Sequence, residues 1–182
     1  MVELFPGFMK LMAASEDWKA AIHHAVYWYV RADTNLIGPD GACVLLQAAL
    51  ERLAWHVLVR ERRSLSEEGF SKLPAADQLR LLLAALSIPL ALPPGLVELQ
   101  RSAKELNWVD GSQAFVEIRN RIVHPPKRAQ RLRDVPFYDA YRLAKWYLEL
   151  AILSACGYMG VYSNRTREHG WVGEVEPVPW AS

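Results

Sequence analysis

Residues 118–126 read Ile-Arg-Asn-Arg-Ile-Val-His-Pro-Pro, which sets Arg119, Asn120 and His124 in the order R-N-x-x-x-H. A guanidinium that stays charged holds a phosphate, and an imidazole that titrates near neutrality moves a proton to or from a ribose oxygen. Those two groups are the minimum that metal-free cleavage of RNA requires. The surroundings suit a phosphate backbone. From Arg119 to Arg133 there are six Lys or Arg and no acid, in a chain whose formal net charge is only +1. The positive charge is therefore local, the electrostatic footprint of a nucleic acid.

The element that must position this run is a helix. Along it Asn120 and His124 fall one turn apart on one face, while Arg119 and His124 are roughly 140° apart around the axis, a gap the arginine stem can span. Pro125 disfavours helical backbone in the residue before it, so the helix should stop at or just before His124 and leave the imidazole at its terminus. Asp110 is the expected N-cap, with Gln113 three residues on as an imperfect capping box.

Elsewhere helix follows helix. Trp18, Ile22, Val26 and Tyr29 recur at intervals of three or four and predict a first helix over about residues 8–31. Gly38-Pro39 breaks the chain. A second helix, about 40–63, is apolar nearly all round from Val44 to Val59, as the central member of a bundle would be; its polar exceptions are Gln47, Glu51, Arg52, His56 and Arg60. Further helices are expected over about 75–87, 94–107, 111–123 and 136–156. The expected fold is all-α, a bundle of about five to six helices forming one domain over residues 1–182. After Cys156 the glycines and Pro177 and Pro179 forbid a long helix, while Tyr162, Trp171 and Trp180 supply apolar area to dock. That stretch should be an arm packed on the bundle, irregular or with a short hairpin near 168–175.

A chain of 182 residues can bury roughly 70% of its unfolded surface without staples. Cys43 and Cys156 lie in apolar helical segments and are expected as buried free thiols of a cytoplasmic protein. The first residues lack the pattern of a secretory signal, and the longest uncharged run, 81–97, is interrupted by Pro89, Pro93 and Pro94, so no membrane segment is expected. Five histidines are present without H-x-x-x-H or C-x-x-C spacing, so neither a metal nor a cofactor is expected. Glu51, an acid on a largely buried helix, wants a partner that Arg119 or another arginine could supply; an ordinary structural ion pair or a surface glutamate is at least as good a reading.

Carried by a helical bundle, the motif resembles that of the HEPN superfamily, whose mark is an arginine and a histidine separated by four to six residues. Here four separate Arg119 from His124, Asn120 fills the polar position that often follows the arginine, and His124-Pro125 matches a frequent ending. The segment Leu50-Glu51-Arg52-Leu53-Ala54-Trp55 and the tail from Gly157 to Trp180 look most like the ApeA-type subgroup associated with anti-phage defence. The resemblance implies a metal-independent endoribonuclease that works as a homodimer, with the motif helices of two subunits meeting in one cleft, in phage defence or as a toxin. It implies His124 as general base toward the 2′-hydroxyl or general acid toward the leaving oxygen, and Arg119 as the group that stabilises the transition-state charge, leaving a 2′,3′-cyclic phosphate. Asn120 would bond His124 or a phosphate oxygen. Arg121, Lys127 and Arg128 would hold flanking phosphates, with affinity falling steeply in salt. An antitoxin or a sensor domain is the other partner to expect. The alternative is a catalytically silent HEPN-type module that binds RNA or protein.

Overall fold

The computed structural model describes residues 4–33, 37–124, 134–167 and 173–181. Among the described residues the chain forms α1 (Leu4–Ala14), α2 (Glu16–Ala32), α3 (Gly38–Trp55), α4 (Glu67–Lys72), α5 (Ala75–Ala85), α6 (Val97–Glu105), α7 (Gly111–Val123) and α8 (Phe137–Ala155). The fold is all-α, with eight helices where five to six were expected. The single helix expected over 8–31 is two. Ser15 takes extended backbone, φ −164° and ψ 159°, and its hydroxyl accepts from Trp18 N, so it caps α2, whose first turn carries Glu16 and Asp17. An N-cap supported by acids on the helix dipole outweighs a hydrophobic stripe that reads straight through. The other addition is α4, six residues capped by Ser66 and too short to show a period.

Helix α3 is the core. It touches α2, α5, α7 and α8, and Cys43, Leu46, Ala49, Leu50, Leu53 and Ala54 are buried along it. Over Gly38–Glu61 it is apolar and long enough to cross a membrane, which the sequence reading did not foresee; most of it is enclosed by the bundle, and a helix wrapped on all sides needs apolar side chains all round. Its last turn departs from the α-helix expected there. His56–Glu61 is a π-helical turn, a widening that is rare and frequent at functional sites.

Helix α7 is held at its start by polar contacts and along its length by packing. The Asp110 carboxylate accepts from Gln113 N at 2.9 Å, and Gln113 Oε1 accepts from Val109 N at 2.9 Å. This is the expected capping box displaced by one residue at its return bond. The same carboxylate receives Arg80 of α5, Nε to Oδ2 at 2.5 Å and Nη2 to Oδ1 at 3.1 Å. Gly111 N donates to Leu90 O, and a Cβ at Gly111 would collide with the Tyr147 hydroxyl of α8. Ala114, Phe115 and Ile118 then bury the inner face.

The C-terminal arm packs on α8. Strands β1 (Val161–Tyr162) and β2 (Glu176–Pro177) pair antiparallel, Tyr162 opposite Glu176, and so bracket the hairpin expected near 168–175; residues 168–172, with Trp171, lie outside the described residues. Trp146 Nε1 donates to the Tyr162 hydroxyl at 3.0 Å, which donates to Glu176 Oε1 at 2.7 Å. Trp180 Nε1 donates to Tyr158 O. Cys43 and Cys156 are both buried and free, and burial pushes their thiols up to about 12 and about 11.

Candidate functional site

The motif sits on the last turn of α7. Val123 is the final helical residue and His124 is the C-cap, with extended backbone at φ −130° and ψ 141°. Its amide still donates to Asn120 O at 2.8 Å, so the histidine is fixed to the helix while its ring is exposed. Arg119 and Asn120 are half-buried neighbours, and Arg119 Nη1 donates to Asn120 Oδ1 at 3.2 Å. The Asn120 carboxamide thus takes the arginine, and it makes no hydrogen bond with His124 among the described residues. Arg119 Nε is enclosed with no hydrogen-bond partner among the described residues. Such a donor costs free energy, and in a native fold it asks for an explanation.

Arg121 follows on the same turn, half-buried. Lys127 and Arg128, expected to hold flanking phosphates, lie outside the described residues, as do Pro125, Arg131 and Arg133. Beside His124 the large apolar side chain of Val123 is 42 % exposed. The arrangement thus offers a pinned guanidinium, a carboxamide that orients it, and an imidazole free to turn toward a ligand at a helix end.

Glu51 is elsewhere. Its carboxylate accepts from Gln47 Nε2 at 2.6 Å within α3, and no arginine pairs with it among the described residues. Glu51 is half-buried and held by a hydrogen bond within its own helix, so the ion pair expected for it does not form among the described residues. Among the described residues no three His, Cys, Asp or Glu side chains converge as metal ligands.

Two polar constellations had no counterpart in the sequence reading. Lys145 is only 2 % exposed, yet its ammonium meets Asp33 Oδ1 at 2.5 Å and lies over the rings of Tyr29 and Tyr141 at 4.9 and 5.6 Å. One turn on, Glu149 accepts from Tyr29 and pairs with Arg165 of the arm. The second is His56, 4 % exposed at the start of the π-turn, with the Trp18 ring centroid 4.1 Å away. Desolvation lowers its pKa, partly offset by Asp17 and reinforced by Arg60 and Arg52. The signal for both was a titratable residue on an otherwise apolar helix face.

Comparison with known proteins places the chain in a family. A SPbeta prophage-derived uncharacterized protein YopA of Bacillus subtilis (strain 168) is 32 % identical over 176 residues, which cover 95 % of this chain and 39 % of that protein. The chain therefore spans well under half the length of this relative. No solved structure matches. The model of the YopA C-terminal domain matches residues 15–176. That match runs from the N-cap of α2 through the motif helix to the second strand, and the chain belongs to the YopA C-terminal domain family.

Proposed function

We propose that this chain is a HEPN-type, metal-independent endoribonuclease of the cytoplasm that cuts RNA with Arg119, Asn120 and His124. The observation that carries the reading is the end of α7. An exposed histidine stands at the C-cap of the helix, five residues after an arginine whose enclosed N–H is left unpaired among the described residues. In the reaction the 2′-oxygen attacks the adjacent phosphorus as its proton leaves, the bond to the 5′-oxygen breaks, and that oxygen takes up a proton. The products are a 2′,3′-cyclic phosphate and a 5′-hydroxyl. His124 moves one of these protons, a contribution of about 10²–10⁴ in rate. Arg119, steadied by Asn120, offsets the charge that builds on the phosphoryl oxygens. Arg121, Lys127 and Arg128 hold the flanking phosphates.

A homodimer belongs to this reading. One chain presents a single His124, whereas the two proton transfers need a base and an acid, and a second motif helix supplies the other imidazole. The exposed Val123 beside His124 supports a partner at this end of α7. A prophage-derived relative supports a setting of conflict between phage and host, with an antitoxin or a sensor domain as restraint.

The test is cleavage of a labelled structured RNA in excess EDTA by the protein and by His124→Ala. The expected result is cutting that survives EDTA, leaves cyclic phosphate ends and is lost in the variant, while RNA affinity is largely kept. A folded dimer that binds RNA and leaves it whole would replace this reading with a silent binding module. Equal cutting by the variant would remove His124 from the chemistry.

A further inference from the structure

Helices α2 and α8 lie antiparallel, since Asp33 meets Lys145, Tyr29 meets Glu149, and Val26 shares a cavity with Ile152. That cavity measures about 420 Å³, a size common among small-molecule sites. Its floor is apolar, built from Val26 and Val30 of α2 with Ile152 and Leu153 of α8. Val30 stays 59 % exposed there. The arm supplies the far wall through Tyr162 and Arg165, and that wall is anchored, because the Tyr162 hydroxyl is tied to Trp146 and Glu176. Among the described residues the lining comes from α2, α8 and the arm, away from the motif helix.

The polar end of the cavity carries two charges of opposite sign, each with one side unused. Glu149 is 16 % exposed, and both of its bonds, from the Tyr29 hydroxyl and from Arg165 Nε, fall on Oε1. Its Oε2 accepts from no described residue. Arg165 spends Nε on Glu149 and Nη2 on the Tyr29 hydroxyl at 3.0 Å, while Nη1 donates to no described residue. Burial, reinforced by the Glu149 carboxylate, raises the Tyr29 hydroxyl well above its ordinary value, so its proton stays committed to Oε1. The next charge along the seam, Lys145, is taken by Asp33 and enclosed by the Tyr29 and Tyr141 rings.

We propose that this cavity binds a free α-amino acid with an apolar side chain. Its ammonium meets Glu149 Oε2, its carboxylate meets Arg165 Nη1, and its side chain covers Val26, Val30, Ile152 and Leu153. Other occupants answer less of the site. A hydrocarbon would strip water from both charges and return no partner. A fatty acid would meet Arg165 but crowd Glu149, and a simple amine would meet Glu149 but crowd Arg165. A zwitterion supplies both partners at once, through charge-assisted hydrogen bonds, the strong kind.

This inference is independent of the cleavage reading, and the two fail separately. Isothermal titration of the wild-type chain with leucine, methionine, phenylalanine and tryptophan measures it. At least one should bind saturably, and His124→Ala should bind it as the wild type does. For leucine, isocaproate lacks the ammonium and isopentylamine lacks the carboxylate; each should bind about tenfold more weakly or worse, as loss of a charged hydrogen bond does. Glu149→Gln and Arg165→Gln keep the shapes and remove one charge each. The first should bring isocaproate level with leucine, and the second should do so for isopentylamine, a reversal that mere loosening of the arm would not produce. Val30→Lys, at an exposed position of the floor, should weaken every ligand while the chain stays folded. No saturable binding of any amino acid by the folded wild type overturns the proposal. So does binding of the two analogues as tight as that of leucine, binding indifferent to Val30→Lys, or binding confined to peptides, which would make the cavity a protein-docking site.

Discussion

At the scale of single residues, the largest electrostatic commitment is Lys145. Its ammonium is enclosed by Tyr29 and Tyr141 and faces one carboxylate, Asp33, which reaches solvent. Removing that carboxylate leaves the ammonium with only the Tyr141 hydroxyl and the two rings, and because Asp33 is itself largely exposed, Asp33→Ala should cost about 1–2 kcal/mol, whereas Lys145→Met, which removes the charge itself, should be close to neutral. Urea denaturation of the two variants checks this, and a Lys145→Met chain weaker than Asp33→Ala would show that the cage serves the lysine stem rather than its charge. The hydrogen bond from Lys145 holds the Asp33 carboxyl below its ordinary value, against burial and with help from Tyr141. A depressed carboxyl stabilises the fold above its unfolded-state pKa of about 4 and gives that stability up as pH falls through the lower, folded value. The acid limb of the wild type should therefore flatten in Lys145→Met. None of this was legible beforehand, because Lys145 reads as one more polar residue of an amphipathic helix and its partner stands on another helix. The motif was legible for the opposite reason. Pro125 is local, and its steric demand alone places His124 at a helix end.

At the scale of elements, boundaries were readable where one side chain makes the decision. Asp110 caps α7 and Pro125 ends it, and the helix runs over the residues expected, Gly111–Val123. Ser15 carried the same kind of signal as Asp110, but the stripe from Trp18 to Tyr29 masked it. The π-turn at His56–Glu61 has no such marker in the sequence; it packs against α2 and α5, which lie apart from it along the chain. The double use of Asp110, as cap and as counter-ion of Arg80, makes the start of α7 the element boundary most sensitive to substitution. Asp110→Asn keeps a capping oxygen and loses the charge, while Asp110→Ala loses both and should cost about 3 kcal/mol, about 1 of it from the cap. Thermal denaturation of the pair separates the two contributions, and equal losses would mean that the cap contributes nothing.

At the scale of the whole molecule, the same physics that makes α3 the core makes it hazardous before the core exists. Only α2 precedes it among the helices it touches most broadly; α5, α7 and α8 follow. During synthesis the ribosome therefore releases a 24-residue apolar helix long before the chain that will enclose it. Such a segment, bare in water, is a substrate for chaperones and for self-association. Completion of α8 is the step that ends this exposure, so a chain stopped after Pro136 should aggregate on expression although its motif helix is intact. Sedimentation of the truncated product would show it, and a monodisperse, helical product would mean that α2, α5 and α7 shield α3 unaided. Residues at the far end of the chain thus act as timekeepers. The motif helix can be complete, capped and correctly terminated, and still lack the packed core behind it until Phe137–Ala155 has left the ribosome.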